Sequence, residues 1–351
     1  MTTEMALYDR QAWAEIEKWR EKRLTARVRR VLPQEWRDRI SDAGRRAKQR
    51  FESLPGASEF EALFVRALGG LMDLGSRAAM ATVREGAILE AYRKRGHDVR
   101  VIEDITKVEL CDIDRVKPNL ALAYMATATV EGAAAGFMIS GGEIVAAGGG
   151  IAGAGAGAAP GIGTIVGVMA ADAAAVLVAA NRAVAHTAAY YGYDLNHPEE
   201  RLFALAVLSM GTAAETGKAA AYIELNKLVQ MLARRATWDQ LRRNVVTGVI
   251  EKVFTRLGFR ITQRKLGQAV PVIGTLFGAG MNARLLSSVV DDADHIYRER
   301  FLRERYGMDL ETVADVVDSE VDVIDIAEIL DEEVGESGGG ASLDDGDQRG
   351  E

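Results

Sequence analysis

Apolar positions recur at helical spacing along most of the chain. Ala12, Ile16 and Trp19 share one face near the start, and after Pro33 the positions Trp36, Ile40, Ala43, Ala47 and Phe51 repeat the pattern with arginines opposite. This predicts amphipathic helices over 1–52. Phe60, Leu63, Phe64, Ala67, Leu68, Leu71 and Met72 give the next stripe, which continues toward Tyr92 with a bend at Gly69-Gly70. Between Gly96 and Asp104 the apolar residues Val99, Val101 and Ile105 alternate, but no partner strands follow, so an extended connector is expected. A helix starting at Asp112 or Asp114 is expected to run through Leu120, Leu122, Ala123 and Met125, with Pro118 in its first turn. Helices follow over 202–211, 213–236 and 238–257. In the second of these Tyr222, Leu225, Leu228, Val229 and Leu232 mark the buried side, and Glu215, Lys218, Glu224 and Lys227 the solvated one.

The chain is organised around a glycine-rich stretch. No charged residue occurs from Ile144 to Ala171, and glycines recur four apart at Gly149, Gly153, Gly157 and Gly161, then at Gly163 and Gly167. Such a stripe lets two backbones approach closely, and Pro160-Gly161 interrupts it, which predicts two helices folded into a hairpin. Alanine and glycine gain little on transfer to lipid, and Asp172 would cost about 2.5–3.5 kcal/mol at a membrane centre, so burial in protein is favoured over the bilayer. The motif Pro160-Gly-Ile-Gly163-Thr returns as Pro271-Val-Ile-Gly274-Thr, with Gly278 matching Gly167. Each copy is followed by a long helix and a glycine stop, Tyr191-Gly192 or Tyr306-Gly307. In the first stop, Gly192 suits a left-handed residue and Asn196 an N-cap, with Pro198, Glu199 and Glu200 in the next helical turn. The expectation is an all-α single domain of eight to ten helices. It comprises a basic front over 1–52, a helical body over 53–310 with glycine-rich units at 132–195 and 267–310, and an acidic tail over 311–351.

Composition and charge refine this picture. With 351 residues, 48% of them apolar and 27% charged, the chain can bury a large core and is not an all-membrane protein. The single cysteine, Cys111, excludes internal disulfides and suits a reducing compartment. Glu4, Asp9 and Arg10 break the first apolar run, so no secretory signal is expected. The net charge of -8 hides an asymmetry: from Arg20 to Arg50 twelve basic residues face four acids, and from Asp309 onward sixteen acids face one arginine. Tryptophans among arginines suit a helix lying on anionic lipid, which makes Trp13, Trp19, Arg23, Arg27, Arg30, Trp36 and Arg39 the membrane-surface candidates. Gly335 to Glu351 has the composition of disorder.

Candidate chemistry is sparse. Gly148 to Gly153 spells GxGxxG, with Asp172 near the place of a ribose-binding acid, yet Pro160 falls inside the helix that a dinucleotide site requires. No P-loop lysine follows the glycines. The four histidines are far apart, and Asp291, Asp292, His295 and Glu299 share neighbouring turns of one helix, a face that a hydrolytic site or an exposed charged surface would explain. No cofactor, metal or nucleic acid is expected.

The aromatic, basic front around Trp13 and Trp19, the glycine hairpin, the stop Tyr191-Gly192-Tyr193-Asp194 with Pro198-Glu199-Glu200-Arg201, and Pro271-Val272-Ile273-Gly274 with Gly278-Ala279-Gly280 together resemble the bacterial EcsC protein family over roughly residues 8–308. The resemblance implies a connection with the cell envelope through an ABC exporter and transfers no catalytic residue. The favoured expectation is a non-enzymatic cytoplasmic protein, peripheral to or partly inserted in the inner membrane. Its candidate partners are an anionic membrane surface, a membrane transporter and a second copy of the chain. The alternative is a soluble hydrolase using Asp292 and His295.

Overall fold

The computed structural model describes residues 5–29, 83–130, 162–213, 217–234, 243–268, 276–308 and 324–339. These form ten α-helices and one 3₁₀ turn, with no strand among the described residues, so the all-α expectation holds. The helices are α1 (Leu7–Arg29), α2 (Glu85–Arg93), α3 (Leu110–Val116), α4 (Leu120–Val130), α5 (Ile162–Tyr190), α6 (Pro198–Thr212), α7 (Lys218–Arg234), α8 (Arg243–Gln268), α9 (Leu276–Tyr306) and α10 (Ile326–Gly339); the 3₁₀ turn, Ile102–Lys107, lies between α2 and α3.

The long helix α9 is the axis of the body, with α1, α4, α5 and α6 packed around it. The core lies chiefly between α5, α6 and α9. Every residue of α6 from Leu202 to Thr212 is buried, which is what a helix apolar on all sides requires. The buried side of α5 is rich in alanine, including Ala173, Ala180, Ala183 and Ala188, and so lets its neighbours come close. Where α6 crosses α9, a Cβ added at Gly211 would stand 3.0 Å from the Val289 Cα. The helix α10 closes the other side of the body, packing on α8 and α7.

Both glycine stops have the expected left-handed backbone, φ +90° at Gly192 and +61° at Gly307. At Gly192 space is limiting as well, since an added Cβ would come within 2.8 Å of the Thr106 amide nitrogen. The predicted helix through Pro118 is instead two helices. The residue before a proline is pushed out of the helical region, and Lys117 is extended at ψ 122°. Asn119 then starts α4, its Oδ1 accepting from the Leu122 amide at 2.9 Å. Similarly, His197 rather than Asn196 occupies the N-cap of α6, because Asn196 is held in a turn by the hydrogen bond its backbone N–H donates to Asp194 Oδ1 at 2.8 Å. The third helix of the 202–257 region extends past 257 to Gln268. In the acidic tail, α10 is ordered helix beyond Gly335 to Gly339, anchored by buried Ile324, Ile326, Ile329 and Leu330.

Gly149, Gly153, Gly157, Gly161 and Gly274 lie outside the described residues. Gly163 and Gly167 are helical in α5, and Gly278 is helical in α9; how these three pack, and with them the paired hairpin, also falls outside the described residues.

Candidate functional site

The described polar chemistry concentrates on α9, where charged side chains leave the helix in three directions and each set meets a different neighbour. Toward α1 and α7, Asp292 is fully buried, bonded by Lys218 and 3.0 Å from Arg23 Nε. Burial pushes the Asp292 carboxyl above its ordinary range, and Lys218 and Arg23 pull it back. Lys218 also lies 3.3 Å from Ser288 Oγ. Arg23 donates to Asp291 at 3.0 Å. One turn on, His295 stacks on Trp19 with ring centroids 4.6 Å apart and planes 8° from parallel. Its Nδ1 is 2.8 Å from the Asp291 carbonyl, which places the Nδ1 proton there. Glu299 accepts from Tyr222 at 2.9 Å and from Arg303 Nε at 2.9 Å.

A second set faces α3 and the end of α5. Lys117 and the Tyr191 hydroxyl both bond Asp294, the latter at 3.0 Å, and Arg298 binds Asp114, which also accepts from Tyr8 at 2.7 Å. The third set faces α6. Arg300 makes a bidentate pair with Glu200 at 2.6 Å on both bonds, with its guanidinium 4.1 Å from the Tyr193 ring centre and 4.5 Å from that of Phe203. Burial alone would ease the proton off Arg300, but Glu200 reverses that and raises its pKa.

This is the arrangement of a fastened seam. Asp292 is inaccessible and doubly countered, and His295 has one ring face against Trp19 and one nitrogen on the backbone. The proposed acid and histidine pair is therefore shared out between separate contacts. Lys218, placed on a solvated side by its helical spacing, is 1% exposed, because a buried carboxylate on the facing helix needs a cation. Of the membrane-surface candidates, Trp19 is buried on His295, Arg23 is paired with Asp291 and Asp292, and Trp13 sits beneath Arg303 with its Nε1 donating to Glu17 at 2.9 Å. The side chains of Arg27, Arg30, Trp36 and Arg39 lie outside the described residues.

Among the described residues, one group could hold a metal ion. Glu103, Asp194 and His197 bring a ligand atom each within 4.8 Å of one another, with His197 Nε2 3.3 Å from Glu103 Oε1. The group is exposed at Glu103 and His197, and it borders a cavity of about 390 Å³ lined by Glu85, Asp194 and Asn196.

Comparison with known proteins then assigns the part of the chain that carries most of this seam. Residues 146–302 match the EcsC protein family. The EcsC segment takes in Glu200, Lys218, Tyr222, Asp292, Glu299 and Arg300, while Trp19, Arg23, Asp114 and Lys117 lie before it. Two Bacillus subtilis proteins are similar. An uncharacterized protein, YdbA, is 29% identical over 206 residues, covering 58% of this chain and 63% of its own length. Protein EcsC is 24% identical over 117 residues, covering 33% of this chain and 44% of its own length. The chain thus spans less than two thirds of either relative. No solved structure matches.

Proposed function

We propose that this chain is a non-enzymatic protein that associates with the cytoplasmic face of a bacterial inner membrane, with α4 and the charge-poor chain after it as the membrane-facing end. The observation that carries this reading is the outer side of α4. Leu122 and Met125, three residues apart and so on one face, are 63% and 37% exposed. The inner side is fixed by buried Leu120 and by the Tyr124 hydroxyl 3.2 Å from His186 Nδ1. Beyond α4, the chain from 131 to 161 has only Glu131 and Glu143 as charged residues. The basic stretch from Arg20 to Arg50, with Arg27, Arg30, Trp36 and Arg39, supplies attraction to anionic headgroups. Among the described residues no helix is long and apolar enough to cross a membrane, which favours a peripheral mode of binding. An ABC exporter as the membrane partner, implied by the family resemblance, is the finer form of the proposal.

The hydrolase reading has less support, since Asp292 is enclosed and used as a counterion to Lys218 and Arg23. Cell fractionation tests the favoured one. The protein should sediment with membranes, be partly released by high salt and be stripped by alkali. Recovery in the soluble fraction at low salt would refute it, and retention after alkali would replace peripheral binding with insertion.

A further inference from the structure

Polar contacts form rungs along α9, and the order of the rungs gives each neighbouring helix a direction. On one side Arg305 donates to the Val108 carbonyl at 2.9 Å, Arg298 binds Asp114 and Lys117 binds Asp294, so the chain runs back toward the start of α9 and then enters α4. On another side Tyr306 donates to Asp9 at 2.7 Å, Arg20 lies 3.4 Å from Glu299 and Arg23 lies 3.0 Å from Asp291, so α1 runs back as well. Lys117 meets the Tyr191 hydroxyl at 2.9 Å and Tyr124 meets His186 at 3.2 Å, so α5 runs against α4 and begins at the end where α4 finishes. One end of the body therefore gathers the C-terminal ends of α1 and α4 and the N-terminal ends of α5 and α9.

Charge is distributed unevenly along this axis. From Leu276 to Val290, α9 has Arg284 as its only charged residue, whereas from Asp291 to Tyr306 it has nine Asp, Glu and Arg. From Ile162 to Asn181, α5 has only Asp172, and α4 has no charged residue. Three helices from distant parts of the sequence thus lay their charge-poor parts side by side at one end. The chain that leaves α1 at this end has seven basic residues against three acids from Arg30 to Arg50. The opposite end exposes Arg95, Asp98, Arg100, Glu103, Lys107 and Glu109, charges of both signs that suit water.

We propose that the protein stands on the membrane by its charge-poor end, with the axis of α9 steep to the bilayer and the basic chain after α1 held against anionic headgroups. This rests on the membrane reading above and adds an orientation to it. An anionic lipid surface is the occupant because two features meet at this end: helices with little charge to desolvate, and a cationic chain that leaves beside them. Leu122 and Met125 lie on the same side of the Asp294 rung, since α4 starts after Lys117 and runs away from it.

Energy transfer from the full chain to vesicles tests the orientation. With Cys111→Ser as background, a donor dye is attached at Arg284→Cys or at Val101→Cys, both exposed positions, and the acceptor is carried on the headgroups of vesicles of phosphatidylcholine and phosphatidylglycerol. Val101 opens the 3₁₀ turn that leads to Val108, beside Arg305, so the two sites differ in height by about 30 Å, the helical rise from Arg284 to Arg305. In vesicle-bound protein, transfer from position 284 should be at least about twofold more efficient than from position 101, given that difference in height. If either variant does not fold, Lys22→Cys or Arg95→Cys, also at exposed positions, takes its place. Equal transfer from the two ends, or more from position 101, would overturn the end-on stance and leave membrane association standing. A wild type that does not pellet with these vesicles, including one that pairs with a second copy through this end instead, would overturn both.

Discussion

The helices α9 and α4 lie side by side and invert the usual rule of burial. The first carries Asp291, Asp292, Asp294, His295, Arg298, Glu299, Arg300 and Arg303, and it runs through the middle of the body. The second has no charged residue, yet it leaves Leu122 and Met125 in the open. What decides burial here is the supply of partners. Asp291, Asp292, Asp294, Arg298 and Arg300 each find a countercharge on a neighbouring segment, and Arg303 finds Glu299 on α9 itself, so desolvation is offset. The outer face of α4 keeps Leu122 63% and Met125 37% exposed, and that exposure is the feature that calls for a surface outside the fold.

The sharpest way to break this contrast is to strip one partner from the seam. Asp292→Ala leaves Lys218 without its bonded carboxylate in a site only 1% exposed, and should cost about 3–5 kcal/mol in denaturant unfolding. Adding Lys218→Met should restore much of that loss, since an apolar residue of similar volume suits the site. A cost below about 1 kcal/mol for Asp292→Ala would mean that water reaches the pair and that the seam is not what holds α7 to α9.

A smaller effect is expected where the backbone sets the limit. Gly192→Ala combines a left-handed φ with a Cβ 2.8 Å from backbone nitrogen, and should cost about 2–4 kcal/mol. Gly307→Ala has the same sign of φ but open space, so about 1–2 kcal/mol is expected. Equal costs at the two stops would show that crowding against Thr106 contributes nothing.

The link between α4 and the body should respond to acid. Burial, and then Arg182, lower His186 to about 4, so the folded state resists a proton that the unfolded chain accepts near 6.5. Stability is therefore lost as pH falls from about 6.5 to 4. Thermal midpoints taken across that window should decline less steeply in His186→Phe than in the wild type, and parallel declines would remove His186 from the account.

Much of the fold was legible in the residues. Helical periodicity identified α6, α7 and α8, and the left-handed stops at Gly192 and Gly307 followed from a glycine after a long helix. The break at Pro118 was misread because a proline in a first turn is permissible in principle; what excludes it here is the extended Lys117 before it and the better cap at Asn119. The seam was half legible. The i, i+3 and i, i+4 spacing of Asp291, Asp292, His295 and Glu299 put them on one face, but periodicity alone cannot tell a solvated charged face from one covered by Lys218, Arg23 and Trp19. The clue was present in the number of directions in which α9 bears charge, since a surface helix needs only one polar side. The bidentate Arg300–Glu200 pair joins residues 100 apart in sequence, and no local pattern announces it.

If the open face of α4 meets a membrane while the charge of α9 is internal, vesicle co-sedimentation will register it. Leu122→Glu with Met125→Glu changes only exposed positions, so the unfolding free energy should move by no more than about 0.5 kcal/mol for each substitution. The wild type should pellet with vesicles containing anionic lipid, and the double variant should bind at least about tenfold more weakly, as expected when two apolar contacts are replaced by charge facing an anionic surface. Equal binding by the two proteins, with both folded, would contradict the assignment of α4 as the membrane-facing element.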